Sequence, residues 1–448
     1  MQNFNRVHFI GMGGIGINAL ARLSLSQRKT VSGSDALDSE LLRDLKQQGA
    51  RIFIGHKADH VAPATELVVY TEAIDASKNP ELLRAEELGI PCMTYFEALG
   101  RISEQYKTIA IAGTHGKSTT TALLGRALVE DGFDPLVIVG TKVPDFQNRN
   151  VYIGKGEYFV VEACEYRRSF LNLQPQGLIL LNCELDHTDY YRDEADYRSA
   201  FRALAEKVPQ GGFIVANADD ANLIWILGNP EGEDHDLRLQ GLRAKIIWVC
   251  AKDLAETPIT LQVPGSFNRL NALAALRAAE TVGADPEIVM KSLESFKGTW
   301  RRMEIRGKFH GALVIDDYGH HPTEIRATLR ALKEHYPKKR LLCVFQPHQY
   351  SRTYALLDAF KTAFEDADLV IVPNIYEARD TAQDKERISA KSFVRALQEK
   401  HPHAIFGNGF DRTLKLIAKK ALENTLIVLM GAGDVTNLGG KLTPRPPL

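Results

Sequence analysis

The stretch that decides the fold is IAIAGTHGKSTTTALLGRAL, residues 109–128. An apolar run typical of a strand leads into a glycine-rich loop, and a helical pattern follows, as in the phosphate-binding loop of a parallel α/β sheet. Lys117 offers a positive charge to the β- and γ-phosphates, and the Ser118 hydroxyl can bind Mg²⁺. Ile111 stands where the strict motif has its first glycine, so an ordinary glycine-rich turn is the alternative. We predict a triphosphate site formed by Gly113, Thr114, His115, Gly116, Lys117, Ser118 and Thr119.

A second glycine loop lies about 100 residues earlier, in VHFIGMGGIG, residues 7–16. Its glycines fit the G-x-G-x-x-G fingerprint, which places a nucleotide diphosphate at a helix N-terminus. Asp35 follows where a ribose-binding carboxylate is expected. The fingerprint does not specify nicotinamide, and a dehydrogenase has no use for an ATP loop in the same chain. The two loops together therefore favour a reaction that consumes ATP and holds a second nucleotide-bearing substrate.

Composition and charge exclude several classes of protein. The chain has 448 residues, 44% of them hydrophobic, and a net charge of −1, so no basic field indicates a nucleic-acid or membrane partner. Neither a membrane-spanning apolar run nor a signal peptide is present in the sequence. The five cysteines are scattered without a C-x-x-C pair, which favours reduced thiols. We expect a cytoplasmic protein.

Apolar runs alternate with helical patterns along the whole chain, which predicts the α/β class. Ten runs are the clearest strands: ELVVYT, TIAIAG, YFVVEA, GLILLN, GFIVAN, KIIWVC, ALVIDD, LLCVFQ, DLVIVP and TLIVLM. We predict three domains. They are a Rossmann-like N-terminal domain at residues 1–105, a central P-loop ATPase-like parallel sheet at 106–298, and a C-terminal Rossmann-like domain at 299–448.

Two further side chains fit a metal-bound triphosphate. Glu162 ends the run YFVVEA, and His187 follows the run GLILLN. Because the carboxyl ends of parallel strands meet at one edge of a sheet, we expect both to converge with Ser118 on Mg²⁺ or Mn²⁺. Histidine is an uncommon ligand of Mg²⁺, so a purely structural role is the alternative for His187.

Eight motifs, in this order, resemble those of the Mur ligases, which assemble peptidoglycan precursors. The resemblance covers residues 6–435 and implies that the first glycine loop binds the diphosphate of a UDP-sugar. The motifs are HFIGMGGIG, AGTHGKSTTTALLG, VEACE, NCELDHTDYY, VPGSFNRLNALAAL, DDYGHHPTEI, FQPHQYSRT and GAGDV. The residues implied for the UDP-sugar are Gly11, Gly13, Gly14, Ile15, Gly16 and Asp35.

The resemblance implies an ATP-dependent amide ligase that joins L-alanine to the lactyl carboxylate of UDP-N-acetylmuramate through an acyl phosphate. ATP is then a co-substrate, Mg²⁺ or Mn²⁺ the cofactor, and the protein a monomer or weak homodimer. Two alternatives stay open. One is a ligase that attaches a whole murein tripeptide to the same UDP-sugar, and the other is a nucleotide-binding switch protein without ligase activity.

Single residues can be assigned by the same resemblance. It implies that Asn268, with Asn271, binds adenine, although a helix N-cap is the alternative for Asn268. Arg302 is expected at the ATP phosphates and Asp316 near the ribose. The amino-acid site is expected to contain Tyr318, His320 and Arg352, with Arg352 on the L-alanine carboxylate. The implied catalytic residues are Lys117, His187 and His320, with either histidine accepting the ammonium proton.

The sequence also departs from the family pattern. Ser118 replaces the commoner threonine, and Gln349 stands where many of these ligases carry an arginine. Residues 188–206 contain no lysine, so the carbamylated lysine of several sister ligases has no candidate there, and Ser199 lies near its expected position. EACEYRRSFL, residues 162–171, replaces a commoner acidic form of this motif.

Overall fold

The computed structural model describes residues 3–228 and 242–443. These residues form three β-sheets in succession, each with helices, which confirms the expected α/β class with three domains. Each sheet lies inside one of the three expected ranges, and the exact boundaries stay a prediction. Among the described residues, no helix is long and apolar enough to cross a membrane.

Packing contacts group the chain into two compact units. The first unit comprises Met1–Glu184, Arg198–Ala251 and Ala274–Ser292. The second unit comprises Leu185–Tyr197, Lys252–Leu273 and Leu293–Leu448. The first two sheets therefore belong to the first unit, and the third sheet to the second unit.

The first sheet has five parallel strands. They are β1 (Arg6–Ile10), β2 (Thr30–Asp35), β3 (Arg51–Ile54), β4 (Leu67–Tyr70) and β5 (Cys92–Thr94), and the helices are α1 (Ile15–Ser26), α2 (Glu40–Gln47), α3 (Pro80–Glu87) and α4 (Tyr95–Ser103). The strand order is β3-β2-β1-β4-β5. Local sequence explains the helix starts, since Thr94 and Glu97 form a capping box at α4 and Asn79 caps α3 before Pro80. The first glycine loop joins β1 to α1 at the carboxyl edge of this sheet.

The second sheet has seven strands. They are β6 (Lys107–Ala112), β7 (Leu136–Val143), β8 (Arg149–Ile153), β9 (Tyr158–Glu162), β10 (Gly177–Leu180), β11 (Phe213–Asn217) and β12 (Lys245–Val249). Their order is β12-β11-β10-β6-β9-β7-β8, and all pairs are parallel except β7 with β8. The described α-helices between residues 106 and 298 are α5 (Lys117–Glu130), α6 (Glu194–Glu206), α7 (Ala221–Leu227), α8 (Asp253–Glu256), α9 (Ser266–Thr281) and α10 (Pro286–Glu294). β6 is buried from Thr108 to Ala112, as a nearly continuous apolar run in a central parallel strand should be.

The third sheet has six strands. They are β13 (Glu304–Phe309), β14 (Ala312–Asp317), β15 (Arg340–Phe345), β16 (Leu369–Val372), β17 (Ala404–Phe406) and β18 (Thr425–Met430). Their order is β13-β14-β18-β15-β16-β17, with only the β13–β14 pair antiparallel among the described strands. The helices are α11 (Pro322–His335), α12 (Tyr350–Ala355), α13 (Leu357–Lys361), α14 (Ala382–Arg387), α15 (Ala390–Gln398), α16 (Phe410–Lys420) and α17 (Asn437–Leu442). A separate hydrophobic cluster packs on each face of this sheet, as a doubly wound sheet requires.

Short 3₁₀ helices complete the described secondary structure. They are Ala58–His60, Pro144–Phe146, Tyr166–Asn172 and Asp434–Thr436. The third of these follows β9 at the carboxyl edge of the second sheet.

Candidate active site

The phosphate loop wraps around the ammonium group of its own lysine. Gly116 has a φ of 84°, in the left-handed region, and caps α5, so that Lys117 is the first residue of the helix. The Lys117 Nζ donates to the carbonyl oxygens of Gly113 and Thr114 at 2.5 and 2.9 Å and pairs with Glu165 at 2.9 Å. Burial alone would lower the pKa of Lys117, but the charges of Glu165 and Glu162 raise it. The lysine is therefore charged at neutral pH, as binding of a triphosphate requires.

Residues after β10 hold the phosphate loop from the side. The Asn182 side chain accepts the backbone N–H of His115 at 2.8 Å, and the Thr114 hydroxyl donates to the Glu184 carbonyl oxygen at 2.7 Å. The His115 Nε2 lies 3.1 Å from a Glu184 carboxylate oxygen. Asn182, Glu184 and Glu165 were not predicted from the sequence as site residues, although all three lie inside motifs that carry the family resemblance.

Two oxygen-bearing side chains that could bind a divalent cation meet where the cation is expected. The Ser118 hydroxyl donates to the Glu162 Oε1 at 3.0 Å, and the Gly140 backbone N–H donates to the Glu162 Oε2 at 2.6 Å. A hydroxyl beside a carboxylate fits a hard cation such as Mg²⁺. His187 is grouped with the second unit, where its backbone N–H donates to the Asp186 Oδ1 at 2.6 Å. The structure thus brings Ser118 and Glu162 together, and His187 as a third ligand stays a prediction.

The first glycine loop is fitted closely to its neighbours. The Gly13 N–H donates to the Asp35 Oδ2 at 2.8 Å, so the predicted ribose-binding carboxylate contacts the loop itself. A Cβ added at Gly11 would lie 2.3 Å from the Thr71 Cγ2, and one at Gly16 would lie 2.8 Å from the Tyr95 ring. Gly14 caps α1 without a side-chain hydrogen bond, and binding of an anion at this helix N-terminus stays a prediction.

The first loop is also tied to the second sheet. The Asn150 Nδ2 donates to the Ile15 carbonyl oxygen at 2.8 Å, and Lys142 pairs with Glu40 at 3.4 Å. The charge of Glu162 acts on the half-buried Tyr95, whose pKa is raised mainly by loss of contact with water. Within the first unit, the two predicted nucleotide loops are therefore linked through few intervening residues.

A buried ion pair organises the predicted amino-acid site in the second unit. The Arg352 Nε and Nη2 lie 3.0 and 2.9 Å from the Asp186 Oδ1, and both residues are buried. Burial alone would raise the pKa of Asp186, but the Arg352 charge holds it well below its usual value. The Arg352 Nη1 lies 3.3 Å from the His348 Nδ1. Arg352 is thus held by Asp186, a partner that sequence analysis did not assign to it.

Neutral imidazoles surround this ion pair. Burial and the Arg352 charge lower the pKa of His320 to about 3 and that of His348 to about 4. The His320 ring packs edge-on against Tyr318, with ring centroids 5.6 Å apart, and its Nε2 lies 3.9 Å from Asp186. The structure therefore brings Tyr318, His320 and Arg352 together, and their role in binding an amino acid stays a prediction. An imidazole with a pKa of about 3 holds a proton only weakly at neutral pH.

Gln349 does not take the place of a second arginine in this group. Its backbone φ is 71°, its side chain is buried, and its Nε2 donates to the Ala378 carbonyl oxygen at 2.9 Å. The substitution therefore removes a positive charge from the predicted amino-acid site and replaces it with a side chain bound to the backbone.

The remaining predicted ATP residues also lie in the second unit. The Asn268 Nδ2 donates to the Pro264 carbonyl oxygen at 2.7 Å, and Asn271 is buried one turn further along α9. Arg302 pairs with Glu324 at 3.2 Å and stacks over the Tyr318 ring. The adenine and phosphate roles of these residues stay predictions.

Asp316 has no exposed surface. It accepts hydrogen bonds from the Arg301 Nε at 3.2 Å and from the Thr436 hydroxyl. Contact with an ATP ribose would require this network to open, and the role of Asp316 stays a prediction.

Comparison with known proteins places the chain in a family. Three family models match it in order: "Mur ligase family, catalytic domain" at residues 6–107, "Mur ligase middle domain" at 111–279, and "Mur ligase, glutamate ligase domain" at 301–433. The chain belongs to the Mur ligase family. This Mur ligase is 39% identical to the UDP-N-acetylmuramate–L-alanine ligase of Caldanaerobacter subterraneus subsp. tengcongensis, over 98% of each chain. It is 38% identical to the enzyme of that name from Clostridium tetani, also over 98% of each chain.

Solved structures agree with this assignment. This Mur ligase is similar to the UDP-N-acetylmuramate–alanine ligase of Thermotoga maritima, with a TM-score of 0.77 and 28% identity over 98% of each chain. A murein peptide ligase from Psychrobacter arcticus shares the fold, with a TM-score of 0.71 and 23% identity, over 99% of this chain and all of that one.

Proposed function

We propose that this Mur ligase joins L-alanine to UDP-N-acetylmuramate and converts ATP to ADP and phosphate. The observation that carries the proposal is the presence, in one unit, of two linked nucleotide loops, one built around a charged lysine and the other around Asp35. Relatives matched over nearly the whole chain, which bear the name of this reaction, support the choice of substrates. The cytoplasmic location, the lack of nucleic-acid and membrane partners, and a monomer or weak homodimer stay predictions.

The proposed reaction has two steps. The lactyl carboxylate of the UDP-sugar attacks the γ-phosphorus of ATP, and ADP leaves, which gives an acyl phosphate. The amine of L-alanine then attacks the acyl carbon, and phosphate leaves as the amide forms. Activation is needed because a free carboxylate has no leaving group that an amine can displace.

The protein acts mainly by positioning reactants and balancing charge. Lys117 binds the phosphate that is transferred. Ser118 and Glu162 would hold the divalent cation, Mg²⁺ or Mn²⁺, which supplies further charge neutralisation at the phosphates. Arg352 is proposed for the L-alanine carboxylate and Tyr318 for the wall of that site.

The amine of L-alanine has to lose a proton before it attacks. His187 and His320 are the two predicted acceptors, and the pKa of His320, about 3, makes it a weak base at neutral pH.

A competition assay tests the proposal. The purified protein is incubated with ATP, Mg²⁺, UDP-N-acetylmuramate and equal amounts of L-alanine and L-alanyl-γ-D-glutamyl-meso-diaminopimelate, and the products are identified by mass. We expect the L-alanine amide, with one ADP for each amide. A dominant tripeptide product would identify the recycling ligase instead. ADP without any amide would support the nucleotide-binding switch.

A further inference from the structure

Two consecutive arginines follow β9 in an unusual backbone conformation. Arg167 and Arg168 have φ values of 51° and 58°, so both lie in the left-handed region although neither is glycine. They lie five and six residues after Glu162, at the carboxyl edge of the second sheet, where the phosphate loop also lies. Side chains with a Cβ adopt this conformation at a cost, and they keep it where the surrounding structure holds them.

Neighbouring contacts hold this segment firmly. The Arg168 Nη2 donates to the Ser199 hydroxyl at 3.0 Å, and the Arg168 backbone N–H donates to the Glu165 carbonyl oxygen at 2.9 Å. Phe170 is buried edge-on against Phe201, with ring centroids 5.4 Å apart. Arg168 is therefore an anchor of the segment, and its side chain is directed to α6.

Arg167 differs from its neighbour because its side chain is exposed. Among residues 3–228 and 242–443 it forms no ion pair within 4.0 Å, and its guanidinium lies over the Tyr166 ring, 5.5 Å from the centroid. Burial raises the pKa of Glu72, and the positive charge of Arg167 acts against that rise. Glu72 follows β4, the neighbour of β1, which leads into the first glycine loop. Arg167 thus lies two residues after Glu165, which contacts Lys117, and its charge acts on Glu72, which follows the strand beside β1.

The proposed substrate has to bridge these two loops. Its diphosphate would bind at the first glycine loop, and its carboxylate has to reach the phosphate held by Lys117. The charge of Lys117 is already balanced by Glu165 at 2.9 Å. An incoming carboxylate therefore needs a further positive charge, and the diphosphate already has the backbone N–H groups of its own loop.

We propose that Arg167 binds the carboxylate of the nucleotide-sugar acid and positions it for attack on ATP. This inference rests on the proposed function, because it takes the substrate to be an acid attached to a nucleoside diphosphate. Arg167 is accordingly a substrate-positioning residue.

Two variants of Arg167 separate charge from backbone conformation. Arg167→Gly removes the charge and retains the freedom to adopt a left-handed φ, whereas Arg167→Lys retains the charge. We expect the KM for UDP-N-acetylmuramate to rise about 10- to 100-fold in Arg167→Gly, with partial recovery in Arg167→Lys and little change in the KM for ATP. Equal increases in both KM values would indicate a general loss of structure and overturn the proposal. If Arg167→Gly does not fold, Arg167→Gln takes its place.

Glu72→Gln is the matched control. If Arg167 acts only by its attraction to Glu72, this variant will reproduce the effect of Arg167→Gly, and the proposal is then wrong. We expect Glu72→Gln to retain the KM of the wild type.

Calorimetric binding without ATP distinguishes the carboxylate from the diphosphate. UDP-N-acetylglucosamine has the same diphosphate as UDP-N-acetylmuramate and lacks the lactyl carboxylate. We expect Arg167→Gly to bind UDP-N-acetylmuramate about 10- to 100-fold more weakly and UDP-N-acetylglucosamine as the wild type does. An equal loss for both ligands would assign Arg167 to the diphosphate, and no loss would remove it from the site. Failure of the proposed function is detected separately, as a wild-type protein without L-alanine-dependent ADP formation.

Discussion

Lys117 is half-buried beside carboxylates that keep it charged, and its loss should slow phosphoryl transfer. We expect Lys117→Ala to lower the rate of ADP formation by about 10²-fold or more, because charge stabilisation of a transferring phosphoryl group is worth several kcal/mol. Lys107→Ala is the control, since Lys107 is an exposed lysine at the other end of β6. Near-normal turnover in Lys117→Ala would mean that the phosphate loop has been assigned wrongly.

Gly13 tests the first glycine loop. A Cβ at this position would lie 2.9 Å from the Asp35 Oδ2, and a valine would block approach of a diphosphate to the loop backbone. We expect Gly13→Val to weaken binding of UDP-N-acetylmuramate and to leave the KM for ATP nearly unchanged. Gly440→Ala, with no atom within 4 Å of the added Cβ, should alter neither. An equal loss of ATP affinity would show that the two loops have been exchanged.

Arg352 has two roles that a pair of variants can separate. Arg352→Ala should raise the KM for L-alanine and also destabilise the protein by about 3–5 kcal/mol, because Asp186 is left as an unpaired buried charge. In the double variant Arg352→Ala/Asp186→Asn the melting temperature should recover while the KM for L-alanine stays high. If the KM recovers together with the melting temperature, the L-alanine carboxylate is held elsewhere.

Single residues also show where sequence reasoning succeeds and where it ends. The two glycine loops were predictable because the spacing of their glycines lies within a short segment of sequence. Glycine is needed there for tight turns and for close approach of the backbone to a ligand. The partner of Arg352 was not, because Asp186 lies 166 residues away and only the folded chain brings the two together. The low pKa of His320 likewise depends on burial and on a distant arginine, neither of which a motif contains.

At the scale of elements, apolar runs predicted well where the strands lie, and they predicted poorly which strands pair antiparallel. All ten runs named from the sequence form strands, because central strands of a parallel sheet are buried on both faces and are nearly continuously apolar. β2, with the sequence TVSGSD, was not among them because five of its six residues are polar or glycine. The antiparallel edges β8 and β13 break the expected parallel pattern, since direction is set by connections and not by the hydrophobicity of a run.

Helix α5 carries Lys117 and packs closely on β7. A Cβ at Gly125 would lie 2.6 Å from the Val137 Cγ1, so a larger residue must move the helix or the strand. We expect Gly125→Ala to destabilise the protein by about 1–3 kcal/mol through overpacking and to lower turnover by displacing Lys117. The double variant Gly125→Ala/Val137→Ala should regain both properties in part, as seen in melting temperature and ADP formation. A single variant as stable as the wild type would show that this contact is loose.

At the scale of the whole molecule, the low pKa values of two half-buried histidines predict a loss of stability in mild acid. His320 and His348 have folded-state pKa values of about 3 and 4, below the ordinary value of 6.5. At a pH between the folded-state pKa and about 6.5, the unfolded chain binds protons that the folded chain does not. The contribution of these histidines to the free energy of unfolding is therefore complete above about pH 6.5. Below that pH it falls by roughly 1.4 kcal/mol per pH unit for each histidine. Asp186, whose pKa is depressed, adds a further loss only near and below about pH 4.

Melting temperatures measured between about pH 7 and about pH 5 test this linkage. We expect the wild type to lose stability steadily across the interval and His348→Gln to show a shallower slope. The same slope in both proteins would show that His348 titrates normally.

The division into two interleaved units has a consequence for synthesis on the ribosome. Leu185–Tyr197 and Lys252–Leu273 belong to the second unit, yet both are translated before Ala274–Ser292 completes the first. A nascent chain that has reached Ser292 therefore holds all of the first unit together with two separate segments of the second. Asp186 has to remain in water until Arg352 emerges, 166 residues later. Burial of that carboxylate, and with it assembly of the proposed amino-acid site, can be reached only late in translation, after the unit that contains both glycine loops is complete.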